Sequence, residues 1–348
     1  MPTSSFDTFF ACTIILAAAL IATGFVTSTM ETRIDNTKNI NEQSYLQAIA
    51  DNIVTSPGTP GNWGTSGQLP TDFGLAASPS TITYALDADK ITRLNSLNND
   101  SISYFDLENA AKLNNLALGI TVSQIMDINL EPAANYASGN VVYFTFAVST
   151  SIDSEPVSAS LNSYVVANDY LFNITSSTSN VGSGYDTVQI PTAATGNAMV
   201  IVFARASFDD RITSYAIYNL ADSAQETVTN SNFLTLSPLN HELNFITNSS
   251  DLTIQNSYVF SYAYQQPLAY TSGATQCAIP NLVDKSPLII VACGSNGGEY
   301  FQQWVSYPQV PLKAGSDFSG SQQNVFSYTV TINGVLYKLE VSLGGPAS

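Results

Sequence analysis

The sequence predicts an α+β protein: a long N-terminal α-helix followed by a β-rich globular head of one or two immunoglobulin-like sandwich modules. Three observations predict it. No charged residue lies between Asp7 and Glu31, and the apolar run inside that gap, Phe9 to Val26, is long enough to cross a bilayer as a helix. Short β-branched and aromatic runs, separated by Ser, Thr, Asn and Gly clusters, fill the second half of the chain. Near the C-terminus, Asn333-Gly334 stands between two alternating runs, Val325 to Ile332 and Val335 to Leu343, the signature of a hairpin whose turn needs positive φ at both central positions.

Taken in order, helical sequence extends from about Ser5 to Val54 and is stopped by Ser56-Pro57-Gly58, giving roughly 75 Å of helix at about 1.5 Å per residue. Its first half is apolar on every side through Phe9, Phe10, Ile14, Ile15, Leu16, Leu20, Ile21 and Phe25. A helix of that kind is buried in lipid or among other helices. Ala17, Ala18, Ala19, Ala22 and Gly24 let neighbouring helices approach closely. Further along, Leu46, Ile49, Ala50 and Ile53 form a single stripe that predicts packing of one side against the head.

After the turn, Ile82 to Leu86 predicts a strand and Asp87 to Leu97 a helix, with Ile91, Leu94 and Leu97 on one face. Ser103 caps a second helix through Asp106, reaching about Asn115. Strands follow at Val141 to Val148, Asn162 to Val166, Tyr170 to Ile174, Ala198 to Ala206 and Ile212 to Tyr218, a spacing that suggests a sandwich. A second set begins near Glu226, with Leu252 to Tyr264, Leu288 to Ala292 and Phe301 to Tyr307 strongest. The expected organisation is therefore helix 1–55, a small α/β region 56–135 packed on it, a sandwich module 136–225, and a second β-rich module 226–348 ending in the hairpin.

Composition narrows the function. Ten Lys and Arg against 27 Asp and Glu give a net charge of −17, which argues against nucleic acid or any other polyanion as partner. Only 11% of residues are charged, so the surface stays soluble through hydroxyls and amides, a composition suited to the cell exterior. Asn99, Asn173 and Asn248 open Asn-x-Ser/Thr triplets and are candidate N-glycosylation acceptors. Cys12 lies in the apolar run as a small hydrophobe, and Cys277 and Cys293 are left as a candidate disulfide.

Catalytic signals are missing. The single His, His241, has no second His or Cys at metal-ligand spacing and reads as a solvated loop residue. Asp87-Ala88-Asp89 reads as a helix cap, Asp209-Asp210 as a turn between strands, and Gly294 to Gly298 as a flexible loop. No nucleotide-binding glycine pattern is present. The expectation is a protein that is not an enzyme and holds no cofactor or metal.

The order of features resembles archaeal type IV pilin-like subunits. The resemblance rests on the apolar helix with its amphipathic continuation and on the turn Ser56-Pro57-Gly58-Thr59-Pro60-Gly61-Asn62-Trp63-Gly64. It continues through Phe73-Gly74-Leu75-Ala76, Leu86-Asp87, Lys90-Ile91 and Leu118-Gly119-Ile120, and covers about residues 5 to 130. No Lys-Gly or Arg-Gly leader-cleavage site precedes the apolar segment, which departs from that pattern. The resemblance implies a subunit held in the membrane by its helix before assembly, then moved by a pilus assembly machinery into an extracellular homopolymeric filament that attaches to cell-surface or abiotic surfaces. The alternative is an extracellular module binding a glycan or solute, anchored by an N-terminal transmembrane helix.

Overall fold

The computed structural model describes residues 3–98, 100–113, 116–167, 170–192, 194, 198–220, 234–239, 241–245, 252–268, 276–280, 284–296, 299–318 and 323–345. The chain divides into two compact units, Met1–Asp51 and Asn52–Ser348. Helix α1 spans Thr3–Thr55. Two short helices follow, α2 at Ala88–Arg93 and α3 at Tyr104–Ala111. Their starts are fixed by side chains. The Asp87 carboxylate accepts from the N–H groups of Asp89 (2.9 Å) and Lys90 (3.3 Å), and the Ser103 hydroxyl accepts from Asp106 N–H at 3.2 Å.

The predicted fold class is corrected. Twenty strands stand against three helices among the described residues, so the protein is mainly β and is not a long helical stalk followed by one or two sandwich modules. Five sheets take the place of the expected modules. The first orders Ala85–Leu86, Gln323–Ile332, Val335–Gly344, Ala117–Gln124 and Leu312–Gly315. Its hairpin turns at Asn333 (φ 51°) and Gly334 (φ 82°), with Ile332 opposite Val335, as the dipeptide requires. The hairpin's neighbour is Ala117–Gln124, far upstream in sequence.

Three of the remaining sheets stack. A four-stranded sheet orders Thr213–Leu220, Ala198–Ala206, Ala159–Ala167 and Tyr170–Ser177. Alternation along its two inner strands is apolar in both phases. Leu161, Val165, Val200, Val202 and Ala204 enter one core with Phe146, Val148 and Val188 of the sheet formed by Asp127–Ser138, Val141–Ile152, Glu155–Pro156 and Ser183–Pro191. Tyr164, Val166, Met199, Ile201 and Phe203 enter another with Phe260, Ile289, Val291 and Cys293 of the sheet Gln265–Pro267, Leu252–Phe260, Leu288–Asn296 and Glu299–Tyr307. One sheet is thus shared as the middle of three layers. The physical reason is that a strand buried on both faces must be a near-continuous apolar run, and Ala198–Ala206 (AMVIVFARA) is one. A small fifth sheet joins Leu234–Ser237, Glu242–Phe245 and Gln276–Ala278. The boundary expected at 225/226 falls outside the described residues.

Several boundaries move. The strand predicted over Ile82 to Leu86 shortens to Ala85–Leu86, because Tyr84 has a positive φ of 59° and Ile82 is exposed. The helix predicted to Leu97 ends at Arg93. Gly294, Ser295 and Asn296 extend a strand instead of forming a loop, pairing with Phe301, Tyr300 and Glu299. The Cys277–Cys293 bridge does not form. The two thiols are buried in different sheets, and burial pushes that of Cys277 up to about 12.

Between two of the stacked layers lies a buried carboxylate. Asp186, 1% exposed, accepts hydrogen bonds from the hydroxyls of Ser163 and Ser176, the latter at 3.3 Å. Burial raises its pKa above the ordinary 3.8, although both serines and the Thr187 N–H oppose the shift. A raised carboxyl pKa means the native state holds the proton more tightly than the unfolded chain, so this group's contribution falls as pH rises from 3.8 through the raised value. Asp186→Asn removes that loss. Thermal unfolding of variant and parent is expected to coincide near pH 3 and to favour the variant increasingly toward pH 7; a variant less stable at pH 7 than at pH 3, relative to parent, contradicts the assignment.

Candidate functional site

The exposed apolar surface of α1 is the first candidate. Phe9, Phe10, Ile14, Ile15, Leu16, Leu20, Ile21 and Phe25 are each between 62% and 77% exposed. Side chains of such size scattered singly need no explanation, but eight within seventeen consecutive positions form an extended exposed apolar surface. The polar groups in the run hide their polarity. Thr13 donates to Phe9 O at 3.0 Å, Thr23 to Ala19 O at 2.7 Å and Thr27 to Thr23 O at 2.9 Å, so these hydroxyls are satisfied by the helix itself. A Cβ added at Gly24 meets nothing within 4 Å, which leaves the helix backbone open to close approach there. Among the described residues no helix is long and apolar enough to cross a membrane. The side chain of Val26, the last of the apolar run, lies outside the described residues.

Further along α1, Leu46, Ala50, Ile53 and Val54 are buried and Ile49 is half-buried. Beyond the helix, the chain folds back on itself: Leu75 N–H donates to Ile53 O at 2.8 Å, Ala76 N–H to Ser56 O at 3.0 Å, and Thr59 N–H to Asp72 O at 2.9 Å. The strands of this return lie so close that two glycines are obligatory. A Cβ on Gly74 would sit 2.2 Å from Ser56 O, and one on Gly58, whose φ is +72°, would sit 2.5 Å from Asp72 O.

Inside this return lies Trp63, fully buried, with its indole N–H donating to Gly74 O at 2.9 Å. Two cations clamp it. The Lys90 ammonium lies 5.7 Å from the indole centroid and donates to Pro57 O (2.8 Å) and Ala76 O (2.6 Å). The Arg93 guanidinium lies 5.8 Å from the same centroid. It donates to the carbonyls of Trp63, Ser66 (3.0 Å), Gln68 (3.1 Å) and Asp100 (2.8 Å). Burial lowers the pKa of Lys90, with Asp87 acting against that shift. Sequence reasoning named the turn, Trp63 and Lys90 within the pilin-like pattern but did not place Lys90 or Arg93 against the indole; their i, i+3 spacing on one short helix puts both on the same face.

A cleft of about 650 Å³ is the second candidate, lined by Thr65, Asp89, His241, Asp284, Tyr307 and Asn333 among others. His241 is therefore not simply a solvated loop residue. Its ring meets Tyr307 edge-on at 5.0 Å, and its Nδ1 lies 3.8 Å from Asp89 Oδ1, which accepts from the Tyr307 hydroxyl at 3.0 Å. Burial, then the Asp89 charge, pushes the Tyr307 phenol far up, so it stays a donor. At Asp284 burial opposes ionisation, but the Ala263 N–H, Arg205 and Ser261 outweigh it and hold the carboxyl below its ordinary range. The cleft offers carboxylate acceptors and phenol or amide groups to a polar ligand. Its Ser286 hydroxyl is engaged, donating to Pro287 O at 3.0 Å and accepting from Tyr262 N–H at 2.9 Å, and it has no base beside it among the described contacts.

Of the glycosylation candidates, Asn99 and Asn248 lie outside the described residues. Asn173 is exposed on the edge strand Tyr170–Ser177, with its amide donating to Asn162 Oδ1 at 3.0 Å. Asp209 sits in the turn after Ala198–Ala206, and its hydrogen bonds with Arg211 bring its pKa down to about 2. No group of three or more His, Cys, Asp and Glu able to hold a metal occurs among the described residues.

No family model and no curated protein matches the chain. Among solved structures it is similar to a catalytically inactive OgpA from Akkermansia muciniphila in complex with an O-glycopeptide substrate, at 10% identity and a TM-score of 0.21, over 30% of this chain and 32% of that one. It is also similar to HBP35 of Porphyromonas gingivalis, at 11% identity and a TM-score of 0.19, over 52% of this chain and 64% of that one. The chain spans about a third of the first protein and less than two thirds of the second, and likenesses this slight carry no argument about fold or function.

Proposed function

We propose that the chain is a structural subunit of an extracellular filament, similar to archaeal type IV pili, which polymerises through the apolar part of α1 and is held in a membrane before assembly. The observation that supports this reading is the contiguous set of eight exposed bulky apolar side chains on a helix whose threonines are internally satisfied. Such a surface needs a partner, and a second copy of itself supplies one of matching chemistry. Head-to-tail contacts between identical units that do not close generate open helical polymers. The low charge density agrees with an exterior location.

Electron microscopy of surface material from the native cell, with N-terminal sequencing of its main component, tests the proposal. Filaments built of this chain, with Phe9 to Val26 retained, are the expected result. A mature chain that begins after Val26, or one recovered only as a monomer, overturns it. The second reading, an anchored binding module, draws its support from the Asp89–His241–Tyr307 cleft; absence of any helix-mediated association together with a ligand retained in that cleft would favour it.

A further inference from the structure

The outer face of the sheet formed by Asp127–Ser138, Val141–Ile152 and Ser183–Pro191 carries chemistry that neither the core nor assembly through α1 uses. Its inner face supplies Phe144, Phe146 and Val148 to the core. Register sets the outer face row by row. Tyr136, Tyr143 and Gln189 lie abreast, then Ala134, Thr145 and Thr187, then Glu131, Ala147 and Tyr185, then Asn129, Ser149 and Ser183. Tyr136 and Tyr143 stack with centroids 4.8 Å apart and planes within 7°, and Tyr136 is more than half exposed. Four residues away along Val141–Ile152, about 13 Å at the rise of a strand, Tyr185 stands 70% exposed.

Beside Tyr185 runs a groove of about 320 Å³, lined by Asn129, Glu131, Ala147, Ser149, Ser183 and Tyr185. That volume lies at the lower end of small-molecule sites. The groove is built rather than incidental: Asn129 Nδ2 donates to Glu131 Oε1 at 2.9 Å and orients the carboxylate, while Thr145 and Thr187 join their hydroxyls at 3.0 Å between the two aromatic stations.

We propose that this face binds a neutral oligosaccharide, with Tyr185 and the Tyr136–Tyr143 pair stacking on the apolar faces of separate, non-adjacent sugar rings of one chain, Glu131 accepting hydrogen bonds from sugar hydroxyls and Asn129 donating to them. Charge selects the occupant. The only formal charge among these four rows is that of Glu131, and the whole chain carries −17, so anionic sugars and nucleic acids are repelled. A sugar ring presents both an apolar face for an aromatic and a rim of hydroxyls for a carboxylate and an amide, matching the two kinds of group placed here.

The test uses the full-length chain on an array of neutral and acidic glycans, with oligolysine spotted as the cationic competitor, followed by titration calorimetry with the best neutral glycan. Binding to at least one neutral glycan is expected, weakened about tenfold by Tyr185→Ala and also weakened by Glu131→Gln. Both residues are exposed, so the thermal unfolding of the variants should match the parent and folding failure is separable. Binding to no neutral glycan overturns the proposal. So does a neutral-glycan affinity unchanged in Tyr185→Ala, or binding confined to oligolysine, which would mark a site for cationic peptides. None of these outcomes depends on filament formation, so failure here leaves the assembly reading to its own test.

Discussion

Arg93→Met is expected to lower the unfolding free energy of Asn52–Ser348 by about 3–5 kcal/mol, the high end for one substitution, because it strands several buried carbonyl acceptors at once. The guanidinium is 3% exposed and donates to four carbonyls, those of Trp63, Ser66, Gln68 and Asp100. Methionine fills much of the volume but donates nothing, so these acceptors lose their partner in a place water reaches poorly. Each unsatisfied buried polar group costs about 1–3 kcal/mol. The chain cannot relax freely around the loss, because the same segment is pinned by Lys90 and by the close approach at Gly58 and Gly74. Urea unfolding followed by the combined fluorescence of Trp63 and Trp304 checks this, and a loss below about 1 kcal/mol would show that the carbonyls find other donors. Arg93→Lys should recover little, since one ammonium cannot reproduce the fork that serves carbonyls on several sides.

Ile15→Arg is expected to abolish self-association while leaving the unfolding of Asn52–Ser348 unchanged. Ile15 is 68% exposed, so the isolated chain loses no packing on substitution. In an assembly the same position becomes surrounded by apolar side chains, and an unpaired guanidinium there carries a desolvation penalty of several kcal/mol per subunit. Against it stands the gross gain of burying eight bulky side chains, on the order of 12 to 24 kcal/mol at about 1.5 to 3 each, much reduced when the helix leaves lipid instead of water. Every subunit repeats the penalty, so a polymer is more sensitive than a dimer. Sedimentation and electron microscopy of parent, Ile15→Arg and Ile15→Leu provide the check. Leucine should preserve assembly; filaments that persist with arginine would sink the assembly role of α1.

Local chemistry was legible residue by residue. Asp87 and Ser103 were readable as caps because a short acceptor side chain before a helix satisfies N–H groups that the helix leaves open. Ala198 to Ala206 was readable as a strand in full, but that both of its faces are covered emerged only from the fold, where its apolar residues in the two phases enter separate cores. Asp127–Ser138, in contrast, escaped notice: nearly all its side chains are exposed and it contains Pro132, so neither period nor propensity marks it. It is a strand because Val141–Ile152 supplies the ladder. The cleft was illegible for a different reason. Asp89, His241 and Tyr307 lie far apart in sequence, and nothing local to any of them predicts that they meet.

The amino-acid order alone set the apolar run of α1, its helix stop at Ser56-Pro57-Gly58, the Asn333-Gly334 hairpin and the acidic, ion-poor surface, because each depends on neighbours within a few positions or on composition. Only the folded chain decided that the class is mainly β, that one sheet serves two cores, that Cys277 and Cys293 stay apart, and that Arg93 closes the loop around Trp63. Those outcomes turn on pairings between distant segments, where many partners satisfy the same alternation and only the joint packing of all of them selects one.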